Sequence, residues 1–143
     1  MKTKEIIKGV LEKWGFPVQD ETEQSVVFRY QMNYVQANEA SREDAPAVTL
    51  TLSGFFSADN EQERLMGLKV CNLVSYRMLQ VKAYIDDDSD AVIASEFFYR
   101  TPEDMEFLLE EGLNMMIGAK RAFRDKYREL ERESRGLSGP GQN

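Results

Sequence analysis

The sequence predicts an α+β domain: a mainly antiparallel sheet packed by an N-terminal helix, a middle helix and a long C-terminal helix. Three observations carry that reading. Apolar residues recur at three- and four-residue spacing near the start of the chain, and again over a longer span towards its end. Between those stretches the period falls to two in several segments. Each half-buried strand needs its apolar face covered, and amphipathic helices are the available cover. There is no internal repeat, and residues 1–133 read as one domain, with 134–143 as a flexible Gly- and Pro-containing tail.

In chain order, Thr3 stands at an N-cap position, and Ile6, Ile7, Val10, Leu11 and Trp14 form one apolar stripe. Gly15 ends that helix and Pro17 prevents its resumption. Val18 to Thr22 reads as a short strand. Val26, Phe28, Tyr30, Met32 and Tyr34 then alternate with Val27, Arg29, Gln31 and Asn33 as a single strand. Gln36 to Pro46 is polar and reads as a loop. Val48, Leu50 and Leu52 point inward against Thr49, Thr51 and Ser53, with Phe55 and Phe56 following a bend at Gly54.

Asp59 is placed as an N-cap with Gln62 as its reciprocal partner, and Leu65, Leu68 and Leu73, with Cys71 and Val74 as further candidates, supply the inward side of a helix from about Asn60 to Tyr76. Val81, Ala83 and Ile85 form a strand whose hairpin partner, Val92 to Phe98, lies across Asp86-Asp87-Asp88-Ser89-Asp90. Thr101, Pro102, Glu103 and Asp104 are a complete helix-start signal. Met105, Leu108, Leu109, Leu113, Met116, Ile117, Phe123, Tyr127 and Leu130 then keep helical spacing to about residue 132. Gly112 and Gly118 in that helix mark either a bend or close packing against the sheet.

The residue inventory argues against catalysis. There is no histidine, which removes the usual proton shuttle and every zinc pattern that needs imidazole. One cysteine, Cys71, excludes thiolate zinc and iron–sulfur sites built from this chain alone, and fits a reducing compartment. No glycine-rich phosphate loop occurs. The Asp86–Asp90 run has the alternate carboxylates of a calcium loop, but Ala91 stands where its glycine belongs and Phe97 where its glutamate belongs. Turn chemistry accounts for the run instead. Glu110-Glu111 and Glu61/Glu63 do not face each other on a helix. No catalytic, cofactor-binding or metal residue is assigned, and no cofactor is expected.

Charge is unevenly distributed. Residues 1–14 and 120–135 carry net charges of +2 and +3, while residues 15–119 carry −12, giving −7 overall. A field of that sign repels phosphate backbones and anionic lipid, and it argues for a basic partner if the partner is charged. Lys120, Arg121, Arg124, Lys126 and Arg128 form a basic cluster, but Asp125 and Glu129 interrupt it, and nucleic acid is not expected. No apolar run approaches eighteen residues and the N-terminus lacks a signal-peptide pattern, so a cytoplasmic, non-membrane protein is expected.

The segment from Leu73 through Tyr84 to Asp88, in which a helix enters a strand that ends in an aspartate-rich turn, resembles YbjN-type domains. Asn72 and Leu73 match that family's helix end, and Lys82, Tyr84 and Asp86 to Asp88 match its strand and turn, within a likeness spanning roughly residues 1 to 130. The resemblance implies a type III secretion chaperone-like fold and a non-enzymatic adaptor, regulator or chaperone-like domain that carries a partner protein or peptide. Exposed backbone at the sheet edge would accept a partner strand in such a domain. The alternative is a small-ligand binder or an enzyme using carboxylates only.

Self-association follows from length. A helix from Pro102 to about Glu133 would be about 48 Å long at ~1.5 Å per residue, longer than the roughly 40 Å diameter of a compact chain of this size. Phe123, Tyr127 and Leu130 would then continue the apolar stripe beyond their own core, and a homodimer interface on those residues is the expectation.

Overall fold

The computed structural model describes residues 2–42 and 44–136. Helix α1 (Thr3–Trp14) is followed by β1 (Val18–Glu21), β2 (Ser25–Tyr30), β3 (Asn33–Glu39), β4 (Ala47–Leu52), α2 (Glu61–Arg77), β5 (Lys82–Ile85) and β6 (Ala91–Phe98). A short 3-10 turn at Pro102–Asp104 leads into α3 (Met105–Ser134). The fold is α+β as predicted, with one six-stranded sheet in the order β1-β2-β3-β4-β6-β5. Every neighbouring pair in it is antiparallel.

Alternation along the strands places Val26, Phe28, Val35, Ala37, Val48, Leu50, Leu52 and Ile93 on one face, where they are buried with the inward residues of the helices. Arg29, Tyr34, Gln36, Glu96 and Phe98 point to the other face and are exposed there. Gly15 closes α1 at φ 78°, and the Phe16 amide donates to the Leu11 carbonyl at 2.9 Å. No helix among the described residues is long and apolar enough to cross a membrane.

Several local expectations are corrected. Thr3 is not the N-cap; Lys2 takes that position, and the buried Thr3 hydroxyl lies 2.6 Å from the Tyr99 hydroxyl. The segment 26–34 is not one strand but a hairpin. Gln31 and Met32 both take positive φ, 48° and 68°, in the two-residue turn that matches strand twist. β3 consequently runs to Glu39 through residues read as loop. The cap of α2 lies one residue later than expected: Asn60 accepts from the Glu63 amide at 2.9 Å, and the Glu63 carboxylate accepts from the Asp59 amide at 2.8 Å. Thr101 and Asp104 behave as predicted, the Asp104 carboxylate accepting from the Thr101 amide at 3.2 Å.

α3 runs unbroken for 30 residues. Gly112 marks close packing rather than a bend: a Cβ there would sit 3.0 Å from Leu50 Cδ1 and 3.2 Å from Ser95 Oγ. The helix ends at Ser134, with Gly136 at φ 72° after it; the remainder of the expected tail, 137–143, lies outside the described residues.

Candidate protein-docking site

The residues that position the candidate site belong to α2. Its buried members are Gly67, Val70, Cys71 and Val74. Leu65 and Leu68, expected to face inward, are instead 56% and 37% exposed, and Tyr76 is 84% exposed. At about 100° per residue, Leu65, Leu68 and Tyr76 fall within an arc of about 80° on the side opposite Val70 and Val74. The phase is set by space. A Cβ at Gly67 would lie 3.1 Å from Phe56 Cε2 and 3.2 Å from Ile85 Cδ1, so the inward face admits small residues and turns the leucines outward. Leu79, two residues past the helix end, is exposed as well. A shallow groove beside Leu65 is bounded by Met66, Lys69 and, from α3, Leu130.

Of the expected interface residues, Phe123 is covered by its own chain. It is 1% exposed, with the Phe55 and Phe56 ring centroids each 5.3 Å away. Tyr127 packs on Phe56 at 4.8 Å, and its hydroxyl pKa is raised by burial and by Glu63 and Glu131. Tyr127 and Leu130 are half-buried. The argument from helix length fails because Phe55-Phe56 and α2 carry the core along the C-terminal half of α3. Sequence reading missed the α2 patch, although one signal was available. Leu65, Leu68 and Tyr76 share a phase that Val70 and Val74 oppose, so a single inward stripe cannot hold all five.

Side chains engage part of the backbone at each sheet edge. On β5 the Ala83 amide donates to Ser75 Oγ at 2.8 Å, and that hydroxyl lies 3.3 Å from the Ala83 carbonyl. On β1 the register is interrupted between Val18 and Asp20, and the Glu21 amide donates to Asp20 Oδ1 at 2.9 Å. Lys4 donates to the Thr22 carbonyl just beyond it at 3.0 Å. A strand added beside Ala83 on β5 would have to displace the Ser75 bonds.

No set of acid–base groups converges among the described residues. Glu96 is held below the usual carboxylate range by Lys82 at 2.9 Å and Thr49 at 3.0 Å. Lys13 and the Trp14 indole hold Glu106 down in the same way, and Lys4 and Lys8 do so to Glu21. These shifts run opposite to those of a general acid, whose pKa is raised. Burial pushes the Cys71 thiol up to about 11, which makes it a packed side chain rather than a nucleophile. Asp86, Asp88 and Asp90 bring carboxylate oxygens within 4.8 Å of one another. Two of them are engaged in the turn: Asp86 accepts from the Asp88 and Asp90 amides, and Asp90 from the Ser57 hydroxyl. A groove of about 460 Å³ between Phe98 and Phe107 is open to solvent, and its Asp104 carboxylate caps the start of α3.

No family model matches the chain, and no curated protein matches it. Solved structures do. An uncharacterized protein from Methanothermobacter thermautotrophicus matches with a TM-score of 0.59 at 11% identity, over 88% of this chain and 99% of its own. YbjN, a proposed transcription regulator from E. coli, matches with a TM-score of 0.57 at 14% identity, over 95% of each chain. At these identities the likeness is one of fold, and the chain shares the fold of these two proteins.

Proposed function

We propose that this chain is a non-catalytic, YbjN-type protein-binding domain that works in the cytoplasm as a homodimer, with the outward face of α2 as the self-docking surface. The observation that carries the reading is the pair of apolar faces on α2, one in the core and one bearing exposed Leu65, Leu68 and Tyr76. Side chains of this size in register on one helix face are uncommon without a partner.

Charge along the helix supports a second copy as that partner. The first turn of α2 holds Glu61 and Glu63 and the last turn holds Arg77. An antiparallel pairing about a two-fold axis sets the acidic end of each helix beside the basic end of the other, and repeats every apolar contact twice. Of the C-terminal residues expected at the interface, Leu130 belongs to this surface, because it borders the groove beside Leu65. The Ser75 hydroxyl on the Ala83 amide of β5 favours the helices over strand addition at that edge.

Sedimentation equilibrium at micromolar concentration tests the proposal. The native chain is expected to be a dimer, and the double variant L65E/Y76E a folded monomer. A native monomer, or a dimer that persists with both charges in place, overturns it.

A further inference from the structure

Seven basic and four acidic side chains lie between residues 120 and 135. The structure pairs two of the basic ones with carboxylates, Lys126 with Glu129 at 3.1 Å and Arg135 with Glu131 at 3.5 Å. Lys120 donates to the Asn33 side chain. Arg121, Arg124, Arg128 and Arg132 are exposed, and none has a carboxylate within ion-pair distance among the described residues. At about 100° per residue, these four occupy an arc of about 80° on α3. Like charges one turn apart repel, and the charge of Arg124 helps burial to lower the Lys120 pKa.

Beside this stripe runs a shallow groove of about 210 Å³, lined by Phe55, Phe56 and Tyr127 and by Arg124 and Arg128. Glu131, the carboxylate on its rim, is held by Arg135. Guanidinium groups that lack carboxylates thus adjoin an aromatic surface. We infer that this face of α3 is a second docking site, which takes a short acidic polypeptide segment carrying an aromatic side chain for the groove. The carboxylates would pair with Arg121, Arg124, Arg128 and Arg132, and the ring would lie on Phe55 and Tyr127.

Dimensions and charge favour a peptide over nucleic acid. From Arg121 to Arg132 the stripe is about 17 Å long at ~1.5 Å per residue, the reach of about five extended residues. Residues 15–119 carry −12, so a phosphate backbone continuing past the stripe enters a repelling field. The acidic body makes a basic partner the default, and this stripe is the local exception to it. The groove has none of Leu65, Leu68 and Tyr76 in its lining, although Tyr127 and Glu131 border both it and the first turns of α2.

Fluorescence anisotropy of a labelled Glu-Glu-Phe-Glu-Glu-Glu peptide with the full chain tests the inference at low salt. R124E/R128E is expected to weaken binding at least about tenfold. R121A/R132A is expected to weaken it by a smaller factor, which guards against misfolding of the first variant. Replacing Phe by Ala in the peptide is expected to lower affinity several-fold, and replacing Glu by Gln to abolish binding. Affinity unchanged in both arginine variants, or indifferent to the peptide's Phe, overturns the site. An oligonucleotide of equal charge that binds more tightly than the peptide overturns the choice of partner. L65E/Y76E is expected to bind the peptide normally, so a failure of self-association reads separately from a failure of this site.

Discussion

Helices α2 and α3 pack side by side over the same face of the sheet, but they distribute their apolar residues differently. In α3 the large ones go inward: Met105, Leu109, Leu113, Met116 and Phe123 are all buried. In α2 the inward positions are Gly67, Val70, Cys71 and Val74, while Leu65, Leu68 and Tyr76 look outward. Space accounts for the difference. α3 crosses the middle of the sheet at a distance that large side chains fill, except at Gly112. α2 sits over the β5 edge with Phe56 and Ile85 against its backbone at Gly67. Helical spacing therefore identifies an apolar face, and the room beneath the helix decides whether that face is the buried one.

The largest test of this contrast is F123A. Phe123 is buried among Phe55, Phe56 and Tyr127, and truncation should cost about 3–5 kcal/mol in chemical denaturation. A loss below about 1 kcal/mol would mean that the C-terminal half of α3 is not packed as described, and would return Phe123 to the solvent-facing role expected from helix length.

The glycines sharpen the same point with a smaller effect. In an exposed helix interior, replacing glycine by alanine gains up to about 1 kcal/mol. Gly9 in α1 has nothing within 4 Å of its missing Cβ, so G9A should be stabilising. G112A adds a methyl group 3.0 Å from Leu50 Cδ1 and should cost roughly 1–3 kcal/mol despite the better helix propensity. Equal gains at both positions, measured by urea unfolding, would show that Leu50 and Ser95 yield freely and that α3 does not lie as close to the sheet.

Much of the fold was legible because the signals were local and mutually consistent. The α1 stripe with Gly15, the alternation of Val48, Leu50 and Leu52, the aspartate-rich hairpin and the start of α3 all rest on spacing or turn chemistry visible within a few residues. What was not legible depended on partners distant in the chain. Thr3 has the side chain of a cap, but Tyr99 takes its hydroxyl. The inward phase of α2 depends on Phe56 and Ile85, which lie outside the helix. The occupied edge of β5 depends on Ser75, eight residues before Ala83. The site was less legible than the fold: Leu130 lies on the proposed α2 surface, whereas Phe123 is enclosed by a loop whose position the sequence pattern did not specify.

The hairpin at Gln31-Met32 escaped for a different reason, since neither residue is one that two-residue turns favour. Both hold left-handed backbone, with φ of 48° and 68°. Replacing the pair by Asn-Gly should therefore stabilise the chain by about 1 kcal/mol, because glycine and asparagine adopt that region with less strain. Thermal unfolding reads the change. A neutral or destabilising result would show that Met32 makes contacts that offset its backbone strain, although its side chain is 85% exposed.

The smallest expected effect on stability is the most discriminating between α2 and α3. L65A and Y76A remove side chains that are 56% and 84% exposed in the single chain, so each should change the unfolding free energy of a dilute sample by no more than about 0.5 kcal/mol. The same substitutions remove apolar contacts that an α2–α2 interface would bury in both copies. Their effect should therefore grow with protein concentration, as the native chain gains stability by association and the variants gain less. Unfolding curves at two concentrations about a hundredfold apart separate the cases. A native midpoint independent of concentration argues against a dimer that stabilises the fold. A loss of several kcal/mol in dilute L65A would instead place Leu65 in the core, and would erase the difference between the two helices.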